Sequence, residues 1–196
     1  LKKLHKDICD QTFNAISIDG DQSPSDSSIF ASTSEKKSDI KKYQKKIKNN
    51  FIEVFRELAE KLVLDGEGAT KLIKIKVKGL SSYAASKKIA LKVANSPLVK
   101  TAAYGEDPNW GRIVTAAGNA GENEFEMKNL SLKIGEHKVL INGNLNPKYS
   151  EAKGKKEFRK KTINIEIKLG KSKKSALVMT SDLSPEYISI NSDYRS

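Results

Sequence analysis

The sequence of 196 residues has a single cysteine, Cys9, and only two histidines, His5 and His137. One cysteine excludes an internal disulfide framework, and no Cys/His cluster has the spacing of a zinc site. Neither histidine is flanked by the serine or aspartate pattern of a hydrolytic triad, so we interpret both as surface residues. The sequence therefore predicts no metal site and disfavours a Ser-His-Asp hydrolase.

Long apolar runs are also missing. No stretch approaches the roughly 20 apolar residues that a transmembrane helix requires. No secretory signal is visible, although the chain begins with Leu1 rather than methionine. Together with the single thiol, these absences predict a cytoplasmic protein without a membrane partner.

Arginine is scarce in a chain of strong positive charge. The net charge is +12, yet only four of the 36 basic residues are arginines. Arginine is the residue that binds phosphates and base edges in bidentate fashion, and aromatic residues do not alternate with the clustered lysines in a way that would give bases a stacking platform. We therefore expect solvated lysine-rich faces and no nucleic-acid partner. A basic nucleic-acid-binding module is the alternative from another class of function.

Hydrophobic periodicity predicts an α+β fold, a mostly antiparallel sheet with helices packed on it, in one domain over residues 1–196. Helices are expected near the N-terminus, over 40–62 with Ser38 as N-cap, and from Ser82 to Asn95, where Pro97 would end the chain's third helix. Residues 144–161 are polar and rich in lysine and are predicted to form a loop. Strands are predicted at 15–18, 72–78, 112–117, 130–134, 139–141, 162–169, 176–180 and 187–190.

One segment combines unusually varied chemistry. Residues 104–112 read YGEDPNWGR and contain two glycines, two acidic residues, a proline, the only tryptophan and one arginine. Loops of this kind often shape a site or an interface. The structural alternative, in which Trp110 fills the core and Arg112 pairs with Glu106 or Asp107, stays open at this point.

Several segments, taken together, resemble the ornithine acetyltransferase family, also called glutamate N-acetyltransferase. The resemblance follows the order of the family over nearly the whole chain, and the 105–112 segment is its most specific part. It implies that the chain contributes to a layered αββα fold. The segments are FNAISIDGD at 13–21, DGEGATK at 65–71, NSPLVKTA at 95–102, GEDPNWGR at 105–112, and the run from DL at 182–183 to NSDY at 191–194.

The resemblance implies an arginine-biosynthesis enzyme made as one precursor that cuts itself into an α and a β chain, which assemble as two α and two β chains. The β chain would begin with a threonine whose hydroxyl is the nucleophile and whose α-amine is the base. Acetyl would pass from N-acetylornithine to this threonine and then to glutamate, in a ping-pong sequence. The α chain would supply the oxyanion hole. No bound cofactor is implied, although some members also use acetyl-CoA as a co-substrate.

The threonine nucleophile of the family is expected upstream of Leu1, so the chain is expected to be most of a β chain with no catalytic residue of its own. All its threonines are internal: Thr12, Thr33, Thr70, Thr101, Thr115, Thr162 and Thr180. A related amidohydrolase or aminopeptidase with an N-terminal nucleophile, in which water accepts the acyl group, is the alternative within enzymes.

The resemblance implies three substrate contacts in this chain, namely Glu67, Asn191 and Ser196. The Glu67 carboxylate would pair with an ammonium group of ornithine, a charge-assisted interaction. The Asn191 amide and the Ser196 hydroxyl would bind the amino-acid backbone or the acetamide. For Glu67 the alternative is a solvated charge at a helix end.

Overall fold

The computed structural model of the chain describes residues 1–33, 35 and 40–194. Its strands form one seven-stranded sheet in the order β1-β7-β2-β6-β3-β4-β5. The predicted N-cap Ser38 and the predicted contact Ser196 lie outside the described residues. The strands are β1 (Ile16–Ser17), β2 (Leu72–Lys78), β3 (Ser131–Ile134), β4 (His137–Ile141), β5 (Asn144–Leu145), β6 (Thr162–Lys168) and β7 (Ser175–Ser181).

The sheet is mixed but mostly antiparallel. Two strand pairs, β1–β7 and β2–β6, are parallel, and the other four are antiparallel. This confirms the predicted α+β class. All strands of the described residues belong to this one sheet, so a second layer of strands stays a prediction.

Seven α-helices surround the sheet in the described ranges. None of them is both long enough and apolar enough to cross a membrane. They are α1 (Lys2–Cys9), α2 (Ile40–Leu64), α3 (Tyr83–Ala94), α4 (Pro97–Tyr104), α5 (Trp110–Gly118), α6 (Glu151–Phe158) and α7 (Pro185–Asp193).

The main core lies on one face of the sheet. In β2, Ile73, Ile75 and Val77 are fully buried, whereas the lysines between them point to the opposite face. The buried isoleucines of β6 continue this apolar surface, and α3 packs on its β2 and β7 part. The strand predicted at 72–78 is thus confirmed with its bounds, and the strand predicted at 162–169 is confirmed except that it ends one residue earlier, at Lys168.

The other face of the sheet is partly covered by α2. Ala59 and Val63 on this helix pack against Leu72 and Met179, in a separate small cluster. Helix α2 therefore lies beside β2 and β7, and its C-terminal end leads into the loop at 65–71, which carries one of the predicted contacts.

Two predicted strands are helices. Residues 112–117 belong to α5, whose buried Ile113, Ala116 and Ala117 follow the i, i+3, i+4 period of a helix. Residues 187–190 belong to α7, which begins with the Ser184 N-cap and Pro185 in its first turn. Both errors came from treating short apolar runs as strands although a capping residue precedes each run.

A similar cap corrects the expectation that Pro97 only ends a helix. Helix α3 ends at Ala94, and Ser96 then accepts the Val99 N–H and caps α4, with Pro97 in its first turn. Proline fits this position because the first helical residue needs no N–H donor.

The 144–161 segment is not a loop throughout, as its composition had suggested. It contains β5 and α6, and Phe158 at the end of α6 is 1% exposed. Gly154 lets the helix approach Pro108 and Tyr149 so closely that a Cβ would lie 2.1 Å from the Tyr149 hydroxyl. The polar composition of the segment did not reveal that α6 packs against the rest of the chain, because this packing depends on only two residues, Phe158 and Gly154.

Candidate functional site

The carboxylate of Asp182 joins the loop after α2 to the end of β7. Its Oδ1 accepts the backbone N–H groups of Thr70 at 2.8 Å and of Lys71 at 2.9 Å, and its Oδ2 accepts the Thr70 hydroxyl. Asp182 is only 3% exposed. Three donors on one buried carboxylate make a strong, charge-assisted set of hydrogen bonds. We call these contacts of Asp182 with Thr70 and Lys71 the Asp182 junction.

A second contact fixes the same loop against α7. The Ser184 hydroxyl donates to the Gly68 carbonyl at 2.7 Å and accepts the Tyr187 N–H at 3.2 Å. Gly68 has φ +63°, and a Cβ there would lie 2.5 Å from the Tyr187 nitrogen. Only glycine permits both this conformation and this close approach.

The predicted contact Glu67 lies in this loop, between Gly66 and Gly68, and is exposed. Within the described residues its carboxylate has no hydrogen-bond or ion-pair partner. Asn191, the second predicted contact, lies on α7, where its Nδ2 donates to the Tyr187 carbonyl at 2.9 Å. The structure thus places the Glu67 loop against the start of the helix that carries Asn191.

The Asp19 segment reaches the same place from the N-terminal part of the chain. The Tyr187 hydroxyl donates to Asp19 Oδ2 at 2.9 Å. Burial raises the pKa of Tyr187 to about 12, and the hydrogen bond to Asp19 and the charges of Asp19 and Glu67 add to this. Tyr187 is therefore neutral and a hydrogen-bond donor near pH 7. Three of the segments that carry the family resemblance converge here.

Lys100, on α4, is a neighbouring buried cation that the sequence did not single out. It is 3% exposed, and its Nζ donates to Thr180 Oγ1 at 2.9 Å, the Ser181 carbonyl at 2.6 Å and Ser181 Oγ at 3.3 Å. Burial lowers the pKa of Lys100 to about 8, although the carboxylates of Asp182 and Asp19 oppose this shift. The one indication in the sequence was that Lys100 follows the apolar residue Val99 in a short segment, PLVKTAAY, that is otherwise mostly apolar.

Glu106 in the 105–112 segment pairs with Lys71 and Arg159, and not with Arg112 as the structural alternative expected. Glu106 has φ 56°, and its carboxylate pairs with Lys71 Nζ at 3.2 Å and with Arg159 Nε at 3.5 Å. Arg112 instead donates to the Leu98 carbonyl at 3.0 Å. Trp110 is partly buried and packs against the core, as the structural alternative expected.

Lys71 connects this segment to the Asp182 junction, because its backbone N–H is one of the donors to Asp182. Its Nζ also donates to the Phe158 carbonyl at 2.9 Å, so it ties α6 to the same network. Residues 105–111, with Glu151 and Lys155, line a cleft of about 520 Å³.

The two histidines lie away from these residues. His5 packs its ring against Phe30, at a centroid distance of 5.9 Å, and is half-buried rather than on the open surface. His137 Nε2 lies 3.7 Å from a Glu157 carboxylate oxygen, at the β3–β4 hairpin. Across 1–33, 35 and 40–194, no three His, Cys, Asp or Glu side chains are grouped so that they could hold a metal ion.

Comparison with known proteins decides the family. The sequence model of the ArgJ family matches residues 1–196. The chain belongs to the ArgJ family. This confirms the family expected from the motifs, and it covers the segments that converge at the Asp182 junction.

Two ArgJ relatives show the extent of the match. The chain is 42% identical to the arginine biosynthesis bifunctional protein ArgJ of Bradyrhizobium diazoefficiens, over 100% of this chain and 49% of that protein. It is 40% identical to the protein of the same name from Agrobacterium fabrum, over 94% of this chain and 46% of that protein. The chain therefore spans about half the length of the curated relatives it matches.

A solved ArgJ structure has the same fold. The crystal structure of the arginine biosynthesis bifunctional protein ArgJ from Bacillus halodurans matches with a TM-score of 0.90 and 28% sequence identity. The match covers 98% of this chain and 92% of that chain. The overall fold described above is thus shared with an ArgJ chain of solved structure.

Proposed function

We propose that this chain forms one wall of the active site of an arginine-biosynthesis enzyme that transfers acetyl from N-acetylornithine to glutamate. The observation that carries the proposal is the Asp182 junction, which holds the exposed Glu67 loop against the start of the helix carrying Asn191. The names of the ArgJ relatives support the same pathway.

Glu67 is the group in this wall that recognises the substrate's charge. N-acetylornithine has a free side-chain ammonium, and a carboxylate that has no partner of its own in the described residues is suited to bind it. The Asn191 amide, with the hydroxyl of Ser196, binds the carboxylate or the acetamide of the substrate. Because hydrogen bonds from Ser184 and to Asp182 hold its loop, Glu67 is placed before the substrate arrives.

The transfer itself proceeds through a threonine on residues that precede this chain in the full protein. The threonine hydroxyl attacks the acetamide carbonyl, the C–N bond breaks, and the ornithine amine leaves with the proton. The amine of glutamate then attacks the acetyl ester, which releases N-acetylglutamate and the threonine hydroxyl. The chain's own residues bind and orient the donor and the acceptor.

The proposal includes the partners that this chemistry needs. An α chain from the same precursor supplies the oxyanion hole, and two α and two β chains assemble in the cytoplasm. The proposal leaves open whether acetyl-CoA is a second donor for glutamate, as it is in some members of the family, and it includes neither a resident cofactor nor a metal ion.

The test is an acetyl-transfer assay on the full-length protein that contains this chain. We expect N-acetylglutamate to form from N-acetylornithine only when glutamate is present. Free acetate formed at the same rate without glutamate, and no N-acetylglutamate, would contradict the proposal and favour the amidohydrolase alternative. Binding to DNA or RNA that weakens steeply with salt, in a protein without transfer activity, would favour the basic module.

A further inference from the structure

The side chain of Lys100 is a cation in the interior without a carboxylate in direct contact. Among the described residues, its ammonium group donates to three neutral oxygens, on Thr180 and Ser181. Burying a charge is costly, so these hydrogen bonds and the more distant carboxylates of Asp182 and Asp19 must offset a large loss of hydration. The ammonium uses all three of its N–H donors in this arrangement.

The partners of Lys100 are next in sequence to the junction residues. Ser181 directly precedes Asp182, and the Lys100 carbonyl accepts the Leu183 N–H at 3.3 Å. Helix α4 therefore holds 180–183 through both the side chain and the main chain of one residue.

The two predicted substrate contacts that lie in the described residues, Glu67 and Asn191, depend on this segment. Asp182 fixes the backbone of Thr70 and Lys71, three and four residues after Glu67. Ser184 caps α7, which carries Asn191. A shift of 180–183 would therefore move the Glu67 loop and α7 relative to each other.

We propose that Lys100 is a positioning residue for substrate binding, which sets the placement of the Glu67 loop against α7 by holding 180–183 to α4. Lys100 does not touch the substrate, because its side chain is buried under the residues it holds. The inference rests on the proposed function in one respect, that Glu67 and Asn191 bind the substrate.

Steady-state kinetics of the full-length protein test this role. We expect Lys100→Met to raise KM for N-acetylornithine by about ten-fold or more, while kcat changes by less than about three-fold, because binding groups are displaced and the nucleophile is not. Lys100→Arg, which keeps a cation with N–H donors, should recover part of the loss. The matched control is Lys87→Met, since Lys87 is a half-buried lysine whose Nζ donates to the Asp10 carbonyl and not to the junction.

Amide hydrogen exchange gives a readout that does not require activity. The amides of Thr70, Lys71 and Tyr187 donate to Asp182 and Ser184, so in Lys100→Met we expect them to exchange about ten-fold faster, while amides of β2 and β6 keep their rates. If Lys100→Met does not fold, Ser181→Ala removes one of the three oxygens and should change KM and exchange in the same direction by a smaller factor.

The inference fails if folded Lys100→Met keeps the wild-type KM, if it loses kcat at constant KM, or if exchange speeds up equally throughout the sheet. Failure of the proposed function looks different. In that case the wild-type protein would not transfer acetyl, while local exchange in Lys100→Met would still report whether Lys100 holds the junction.

Discussion

The carboxylate of Asp182 accepts the backbone N–H of Thr70 at 2.8 Å, although 112 residues separate the two in the sequence. Both residues belong to segments that resemble one family, and nothing in either segment alone shows that they touch. The contact joins the two parts of the site that carry Glu67 and Asn191. Its loss should therefore affect folding and binding together.

Asp182→Ala should destabilise the protein. The substitution leaves the Thr70 N–H, the Thr70 hydroxyl and the Lys71 N–H without their buried acceptor, which costs about 2–4 kcal/mol. Urea denaturation of the full-length protein measures the change. The control is Asp193→Ala on the exposed end of α7, which should change the free energy of unfolding by less than about 0.5 kcal/mol. Equal effects of the two substitutions would show that the junction contributes little.

Gly68→Ala should disturb the site more than its backbone conformation alone explains. Gly68 and Gly121 have nearly equal φ, +63° and +60°, so alanine adds similar strain of about 1 kcal/mol at each. At Gly121 a Cβ meets nothing within 4 Å, whereas at Gly68 it lies 2.5 Å from the Tyr187 nitrogen. We therefore expect Gly68→Ala alone to weaken N-acetylornithine binding. Equal losses of stability and of N-acetylornithine affinity in Gly68→Ala and in the control Gly121→Ala would be evidence against close contact between the loop and α7.

The stability of the protein should depend on the charge of Lys100 in the alkaline range. Burial lowers the pKa of Lys100 from 10.5 to about 8, so between these values the unfolded chain holds a proton that the folded chain has released. Stability from this group therefore rises with pH over that window, by up to about 3 kcal/mol, and is flat below it. The difference in unfolding free energy between wild type and Lys100→Met isolates this contribution, since the facing carboxylates Asp182 and Asp19 are common to both. A difference that stays constant from pH 7 to 10.5 would show that Lys100 has its ordinary pKa.

Phe158→Ala tests the correction of the 144–161 segment. If α6 docks through Phe158, which is 1% exposed, the loss of this side chain should cost about 3–5 kcal/mol in unfolding free energy. Ile29→Ala, at a residue that is 87% exposed, should cost almost nothing. A loss below about 0.5 kcal/mol for Phe158→Ala would instead support the loop that the polar composition suggested.

Elements with a clear local signal were predictable from the sequence. The alternation at 72–78 gave β2 with its residue bounds, and Ser82 gave the start of α3, because a strand period and an N-cap are properties of neighbouring residues. The runs at 112–117 and 187–190 were mistaken for strands because a run of only four to six residues is too short to distinguish the period of a strand from that of a helix. Their caps, Asn109 and Ser184, were the better signal.

The site was predictable only in part, for a physical reason. The motifs indicated Glu67 and Asn191 through a family resemblance, but the contacts that hold them belong to residues far apart in the chain. Asp182 and Lys100 lie inside segments that were recognised, yet a sequence does not show which backbone groups a buried side chain will meet. Tertiary hydrogen bonds of this kind become visible only in the fold.

The most direct test of the central claim, that this chain supplies a carboxylate for the substrate, is kcat/KM for N-acetylornithine in full-length Glu67→Ala. Removing one charge-assisted hydrogen bond costs about 1.5–3 kcal/mol, so the account predicts a fall of about 10- to 150-fold in a protein that stays folded. The control is Glu57→Ala, at an exposed carboxylate of α2 whose ion pair in the described part of the chain is with Lys61, at 3.1 Å. This control should keep wild-type kinetics. An unchanged kcat/KM in folded Glu67→Ala would contradict the account.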